Sequence, residues 1–210
     1  MVIPGGGGEL SGITGVILAG GASSRMKRNK ALLPIEGETF IGRTYRKLKV
    51  LFPELLLVTN TPELYDFIPC PKVPDFYPGA GALAGIHAGL MHAATQHVFV
   101  VACDMPFLNE SLIRYLCGRG EEGDIIIPEN HGGVEPLHAV YSRRCCDPMQ
   151  ESLSEGRYRI IDCFNTLSVV KVSCEEVERI DPHLLSFRNV NTPEEYEMIL
   201  QGVQGKGKRG

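Results

Sequence analysis

Short apolar runs alternating with helix-periodic segments constrain this chain more than any other feature. Val16-Ile17-Leu18 precedes a helical pattern from Phe40 to Phe52. Leu55 to Thr59 then precedes a second pattern from Leu83 to Ala94, and the apolar run His97 to Ala102 follows. Runs of this length bounded by turn residues read as strands, and their alternation with helices builds βαβ units on a mainly parallel sheet. The rhythm then changes. A strand is predicted at Asp124 to Pro128, a polar turn at Glu129 to Gly133, a strand at Leu137 to Tyr141, a short helix at Pro148 to Leu153 and a strand at Leu167 to Val172. This second half is expected to carry an antiparallel element and the variable part of a site. No internal repeat is visible.

Composition narrows the class. With 210 residues, 43% hydrophobic and 22% charged, one sizeable core can form, because a chain this long removes roughly 70% of its unfolded surface from water. The Gly5–Gly8 run and the Gly, Gln, Lys and Arg tail set the ends apart. The expected organisation is a flexible stretch at 1–12, a single domain at 13–201 and a flexible tail at 202–210. A net charge of −4 and a pI near 5.9 leave no global positive field for a nucleic-acid backbone. The longest strictly apolar run, Val98 to Cys103, is far short of a bilayer span, and no basic-then-apolar leader opens the chain. A soluble, cytoplasmic protein with neither nucleic-acid nor membrane partner is expected. Seven cysteines without a C-x-x-C pair indicate reduced, mostly buried thiols rather than a disulfide framework or a zinc knuckle.

Ligands of open α/β sheets sit beyond the carboxyl ends of the strands. The first such loop reads Leu18-Ala19-Gly20-Gly21-Ala22-Ser23-Ser24-Arg25-Met26 and continues to Lys30. Paired glycines let the backbone approach a ligand and aim N–H groups at an anion. Arg25, Lys27, Arg28 and Lys30 add cations to an otherwise acidic chain. A solvated surface loop is the alternative, but the position after the first strand favours a polyphosphate site. Neither G-x-x-x-x-G-K-[ST] nor a strand-following G-x-G-x-x-G is present.

A second constellation, Val100-Val101-Ala102-Cys103-Asp104-Met105-Pro106, delivers a carboxylate to a strand end, with Pro106 stopping the ladder. Asp104 suits Mg²⁺, which takes one or two protein carboxylates and completes its shell with phosphates and water. A turn or cap role is the other reading. Near the carboxyl terminus, Thr192, Pro193 and Glu195 form a helix-start signature, which puts Asn189-Val190-Asn191 on the preceding loop, where a polar side chain can face a ligand. His87, His92 and His97 recur every five residues, off a common helical face, and do not read as a zinc site. Cys145-Cys146 reads as a helix start, and Glu121, Glu122 and Asp124 as a solvated turn.

Taken in order, five segments resemble the molybdenum cofactor guanylyltransferases. They are Leu18-Ala19-Gly20-Gly21-x-Ser23-x-Arg25-Met26 with Lys30-Ala31-Leu32-Leu33; Asp75 with Gly81-x-Leu83-Ala84-Gly85-Ile86; Cys103-Asp104-Met105-Pro106; Glu135 to Tyr141; and Asn189 to Glu195. The resemblance runs from Ile13 to about Leu200. It implies a Rossmann-like three-layer α/β/α nucleotidyltransferase fold of the glycosyltransferase-A kind, and transfer of GMP from GTP to the terminal phosphate of molybdopterin cofactor with release of pyrophosphate. By this resemblance Leu18, Ala19 and Gly20 line the nucleotide, Gly21, Arg25 and Lys30 attend the phosphates, and Asn60 and Asp75 contact the nucleotide. Asp104 holds Mg²⁺, with Asn189 or Asn191 as a second polar group near the metal. Glu135 and His138 fall near the pterin. Arg25, Lys30 and Asp104 become the catalytic set, and transient contact with cofactor-delivery and acceptor proteins is implied.

Lys27 stands at a usual glycine, Asn29 at a usual aspartate, Ala82 at a usual proline, and Tyr158 replaces one of a usual arginine pair. Two other functions stay open. One is a cytidylyltransferase or another nucleotidyltransferase of the superfamily, against which Gly20-Gly21 argues. The other is a nucleotide-binding adaptor without turnover, supported only by Lys27, Asn29 and Tyr158, and against which Lys30, Asp104, Asn189 and Asn191 argue.

Overall fold

The structure, a computed structural model, describes residues 8–20, 29–188, 190 and 195–197. In chain order its elements are β1 (Ile13–Leu18), β2 (Pro34–Ile35), β3 (Glu38–Thr39), α1 (Phe40–Lys49), β4 (Leu55–Val58), β5 (Lys72–Val73), α2 (Ala82–His92), β6 (His97–Ala102), α3 (Glu110–Gly118), β7 (Ile125–Asn130), β8 (Gly133–Val134), β9 (His138–Ser142), α4 (Cys146–Ser154), β10 (Val169–Val172) and α5 (Cys174–Glu178). The main sheet has the order β10-β7-β9-β6-β1-β4-β5, with β8 paired to β7 and a separate β2–β3 hairpin. β1 runs parallel to β4 and β6, β4 to β5, and β7 to β10. The expected antiparallel element is β9, inserted between β6 and β7 and opposed to both.

The sheet is covered on both faces, which is why β1, β6 and β9 read as nearly unbroken apolar runs. Successive side chains alternate faces. Ile17, Leu57, Phe99 and Val101 pack with Ile41 and Leu48 of α1, Leu112 and Leu116 of α3 and Val177 of α5. Val16, Leu18, Val98 and Val100 face the other way, onto Leu83, Ile86 and Leu90 of α2 and Met149 and Leu153 of α4. The result is the expected three-layer arrangement. On the second face α2 lies directly on β1. A Cβ at Gly89 would stand 2.8 Å from Val16 Cγ1, and one at Gly85 3.2 Å from the Leu18 methyls. The glycines at these two positions therefore set how low α2 sits over the end of β1.

Boundaries depart from expectation where a side chain intervenes. β7 runs on through Glu129 and Asn130 because β8 pairs with them. Asp124 is not a solvated turn residue. Its carboxylate accepts from Ser168 N–H at 2.9 Å and from Ser142 Oγ–H at 3.4 Å, and so joins the start of β7 to the end of β9 and to the residue before β10. Leu10, placed by the sequence in the flexible stretch, donates its N–H to Leu51 at 2.7 Å and packs on the core. Cys146 opens α4 as anticipated. Residues 195–197 are helical, whereas the cap signature at Thr192 and Pro193 lies outside the described residues. The seven cysteines are unpaired, four of them buried. Among the described residues no helix is long and apolar enough to cross a membrane.

Candidate functional site

The carboxyl ends of β1, β4 and β6 open onto a crevice of about 800 Å³. Leu18, Ala19, Gly20, Lys30, Asn60, Asp75 and Asp104, drawn from positions spread over 87 residues of sequence, all line it. Gly21, Arg25, Asn189 and Asn191 lie outside the described residues, as does Lys27. Val190, between the two asparagines, is buried and donates its N–H to the Asp104 carbonyl at 3.4 Å.

The floor of the crevice is the seam between β1 and β6. Cys103 N–H donates to Leu18 C=O at 3.1 Å, which carries the pairing one residue past β6 and leaves Asp104 at the rim. Lys30 reaches it from the other side, with Nζ 3.7 Å from Asp104 Oδ2 and both side chains mostly covered. Burial pushes the Asp104 carboxyl above the ordinary carboxylate range, and the Lys30 ammonium offsets part of that rise. Beside it, burial and then the Asp104 charge push the Cys103 thiol up to about 12. Cys103 therefore stays a thiol and is no nucleophile.

Lys30 is held by its neighbour. Asn29 Oδ1 accepts from Ala31 N–H at 3.1 Å, capping the single turn Lys30–Leu32, while its amide donates to Tyr65 OH at 2.8 Å. Tyr65 is 2% exposed, so the turn is tied to the core below it. Asparagine at a usual aspartate position thus keeps the cap and adds a donor. The sequence contains no periodic or motif signal for Tyr65, which sits in the turn Pro62–Tyr65.

Across the crevice the loops after β4 and β5 are clasped together. Asn60 Nδ2 donates to Asp75 Oδ2 at 2.7 Å, Asp75 N–H returns a bond to Asn60 Oδ1 at 3.0 Å, and Asp75 Oδ1 accepts from Tyr77 N–H at 3.0 Å. The two positions matched one by one to nucleotide contacts are therefore one unit. Gly81, with φ of +72°, turns the chain into α2, and Ala82 and Gly85 complete this wall.

The pterin-side expectations fare differently. His138 does not face the crevice: it is fully buried, its ring edge-on to Phe99 and Phe187 at 5.2 and 5.3 Å. The inward face of β9 simply belongs to the core. Glu135 is half-buried and accepts from the Asn130 amide; burial raises its carboxyl and that bond offsets part of the rise. It is not among the residues that line the crevice. Tyr158 is exposed on the segment after α4. His87 is buried against Phe76 and Tyr77 and His92 stacks on Phe76, so these two serve packing, while His97 begins β6 with its Nδ1 3.7 Å from Glu121 Oε1.

The chain that builds this crevice is similar to known proteins. The MobA-like NTP transferase domain model matches residues 15–169. A molybdenum cofactor guanylyltransferase of Desulfosudis oleivorans is 40% identical over 197 residues, covering 93% of this chain and 98% of its own. Molybdopterin-guanine dinucleotide biosynthesis protein A from Archaeoglobus fulgidus, known as a crystal structure, superposes with a TM-score of 0.82 at 27% identity, over 91% of this chain and 99% of that one. A nucleotidyl transferase from Methanothermobacter thermautotroptrophicus shares the fold, at 18% identity and a TM-score of 0.65 over 93% of this chain and 99% of that one. The matched range holds β6, all of β1 but its first two residues, and the crevice they frame, and on that ground the chain belongs to the MobA-like NTP transferases, as a nucleotidyltransferase of the molybdenum cofactor guanylyltransferase group.

Proposed function

We propose that this protein transfers the guanylyl group of GTP to the terminal phosphate of the molybdopterin cofactor, and that the reaction takes place in the crevice between β1 and β6. The observation that carries this reading is the opposition of Lys30 and Asp104 at 3.7 Å at the carboxyl ends of the two central strands. Transfer of this type needs positioning and charge neutralisation more than covalent chemistry. An oxygen of the pterin phosphate forms the new bond to the α-phosphorus as the bond to the β-phosphate oxygen breaks, and pyrophosphate leaves. The phosphate nucleophile is ionised near neutral pH, so no residue has to remove a proton.

Asp104 fits a Mg²⁺ ligand. It is a hard oxygen donor at the crevice rim, mostly buried, and its charge is only partly compensated by Lys30. Mg²⁺ held there, with Asn189 or Asn191 nearby, would supply Lewis-acid neutralisation of the phosphates. Lys30, with Arg25, stabilises the charge that collects on the departing pyrophosphate. The Asn60–Asp75 clasp presents a fixed pattern of donors and acceptors to the nucleoside. Leu18, Ala19 and Gly20 offer backbone groups to guanine, and Gly21 adds room for the phosphates.

Turnover of the four ribonucleoside triphosphates with purified pterin cofactor and Mg²⁺ tests the proposal. GTP is expected to be used, with CTP and ATP poor competitors, because a site built to pair with one base edge leaves polar groups unpaired against another. Equal use of CTP would transfer the assignment to a cytidylyltransferase. GTP binding without any transfer would leave an adaptor.

A further inference from the structure

A second group of chemically competent side chains lies outside the crevice. His131 sits in the turn between β7 and β8. Cys174 and Glu178 are four residues apart on α5 and so share one face of it. β7 and β10 run parallel and adjacent, with Val172 opposite Pro128, so the turn after one and the helix after the other meet at the same edge. There Cys174 Sγ lies 3.7 Å from His131 Nδ1, and His131 Nε2 lies 3.1 Å from Glu178 Oε1. One ligand atom from each residue falls within 4.8 Å of the other two.

We propose that His131, Cys174 and Glu178 bind a borderline-soft divalent cation of the zinc class, which staples the β7–β8 turn to α5. Thiolate, imidazole and carboxylate are the three donors that zinc accepts, whereas hard ions such as Mg²⁺ avoid sulfur. With metal bonds of about 2.3 Å to sulfur and about 2.0 Å to nitrogen, a tetrahedral ion holds those atoms roughly 3.6 Å apart. The observed separation of 3.7 Å between Cys174 Sγ and His131 Nδ1 matches that. An imidazole gives an ion only one nitrogen, so with Nδ1 as the ligand the Glu178 carboxylate turns from Nε2 toward the ion, one ligand atom of each residue already lying within 4.8 Å of the other two. A plain His131–Glu178 ion pair would make no use of the thiol. His131 is exposed and the other two are half-buried, so an ion can enter and the ligands can adjust. The surroundings are negative. Glu129 and Glu175 lie near the thiol, held by Lys171 at 3.2 Å and Arg179 at 3.9 Å. A bound dication would neutralise that local charge and hold the thiolate. Three protein ligands leave a fourth position for water.

The test is a Co²⁺ titration of the full chain after removal of adventitious metal by chelation. The expected result is one equivalent of tetrahedral Co²⁺ with a thiolate-to-cobalt charge-transfer band that Zn²⁺ displaces. Cys174→Ser should abolish the band, His131→Ala and Glu178→Gln should each weaken Co²⁺ binding about tenfold or more, and Cys70→Ser should leave it intact. All these side chains are at least partly at the surface, and far-ultraviolet circular dichroism verifies that each variant is folded. Absence of the charge-transfer band overturns the proposal. So does its survival in Cys174→Ser, or unchanged affinity in both His131→Ala and Glu178→Gln, which would leave a lone cysteine as the ligand. None of these readings depends on the transferase activity.

Discussion

Lys30 Nζ and Asp104 Oδ2 face each other at 3.7 Å although 74 residues separate them in the chain. The pair exists because β1 and β6 are neighbours and parallel, so the loop after the first strand and the first residues past the other must share one edge. Each side chain partly neutralises the other, and the separation leaves both able to turn to a phosphate and its counter-ion.

The pair should separate binding from catalysis. Asp104→Ala is expected to lower guanylyl transfer by roughly 10²–10³-fold, the cost of losing one preorganised charged group, without unfolding β6, whose apolar residues are untouched. Lys30→Ala should reduce the single-turnover rate more than GTP affinity, since only contacts that strengthen in the transition state raise turnover. Rate and GTP titration measured side by side decide the point. A Lys30→Ala protein that loses affinity alone would assign this lysine to ground-state binding.

Asn29 positions Lys30 through two bonds that can be removed and restored. Asn29→Ala deletes both the cap on Ala31 N–H and the tie to Tyr65. A lost cap typically costs ~1 kcal/mol, and the rate of transfer should fall with it because the lysine is no longer fixed. Asn29→Asp keeps an acceptor for the cap and accepts from the tyrosine hydroxyl, so it should recover most of the rate. A thermal melt and the turnover rate of both variants check this. Equal rates for Asn29→Ala and wild type would show that Lys30 is placed by other means.

How much of this site could be read in advance depended on where its signal lay. Asp104 was legible because a doubly buried strand reads as an apolar run and Pro106 ends it. Lys30 was legible because cations clustered behind paired glycines. Asn60 and Asp75 were placed only by resemblance, and their mutual clasp follows from the adjacency of β4 and β5, which no local pattern states. Tyr65 was missed altogether: it acts through one hydroxyl across 36 residues from a turn without periodicity. α3 and α5 were missed although Asn109 caps the first and Ser173 with Glu176 forms a capping box on the second. Both are short helices, and their apolar periodicity is too brief to stand out. His138 was misplaced because strand alternation says which residues face inward, and a buried histidine without a hydrogen-bond partner is contrary to the usual pattern for polar groups.

The seat of α2 over β1 gives a packing prediction. Alanine at an interior helix position normally gains roughly 0.5–1 kcal/mol over glycine. At position 89 its Cβ would meet Val16 Cγ1 at 2.8 Å and Cγ2 at 3.1 Å, so the helix must lift. Overpacking of this kind costs about 1–3 kcal/mol, and Gly89→Ala should be destabilising on balance. Gly118→Ala, where an added Cβ meets nothing within 4 Å, should be neutral or mildly stabilising. Urea denaturation of both variants is the measurement. Because Gly85 on the same helix lines the crevice, Gly89→Ala should also weaken GTP binding, whereas Gly118→Ala should not.

His138 predicts how stability responds to acid. Both ring nitrogens lack a hydrogen-bond partner among the described residues, and burial depresses the imidazole to about 3 from an ordinary 6.5, with Asp181 offsetting a part. The unfolded chain therefore takes up a proton below pH 6.5 that the folded chain refuses until about pH 3. Stability is full above pH 6.5 and falls as pH drops through that window, by about 1.4 kcal/mol for each pH unit well below 6.5. At pH 5 the loss from this one group is about 2 kcal/mol. His138→Leu removes the titration and the two unpaired nitrogens together. The variant should be of similar or greater stability at pH 7.5 and clearly more stable than wild type at pH 5. Urea midpoints at pH 5, 6 and 7.5 for the two proteins measure the difference, and the acid response of His87, also depressed by burial, cancels in it. Parallel pH slopes for wild type and His138→Leu would mean that the buried ring finds a proton partner in the folded state and that its burial does not set the acid limit of this fold.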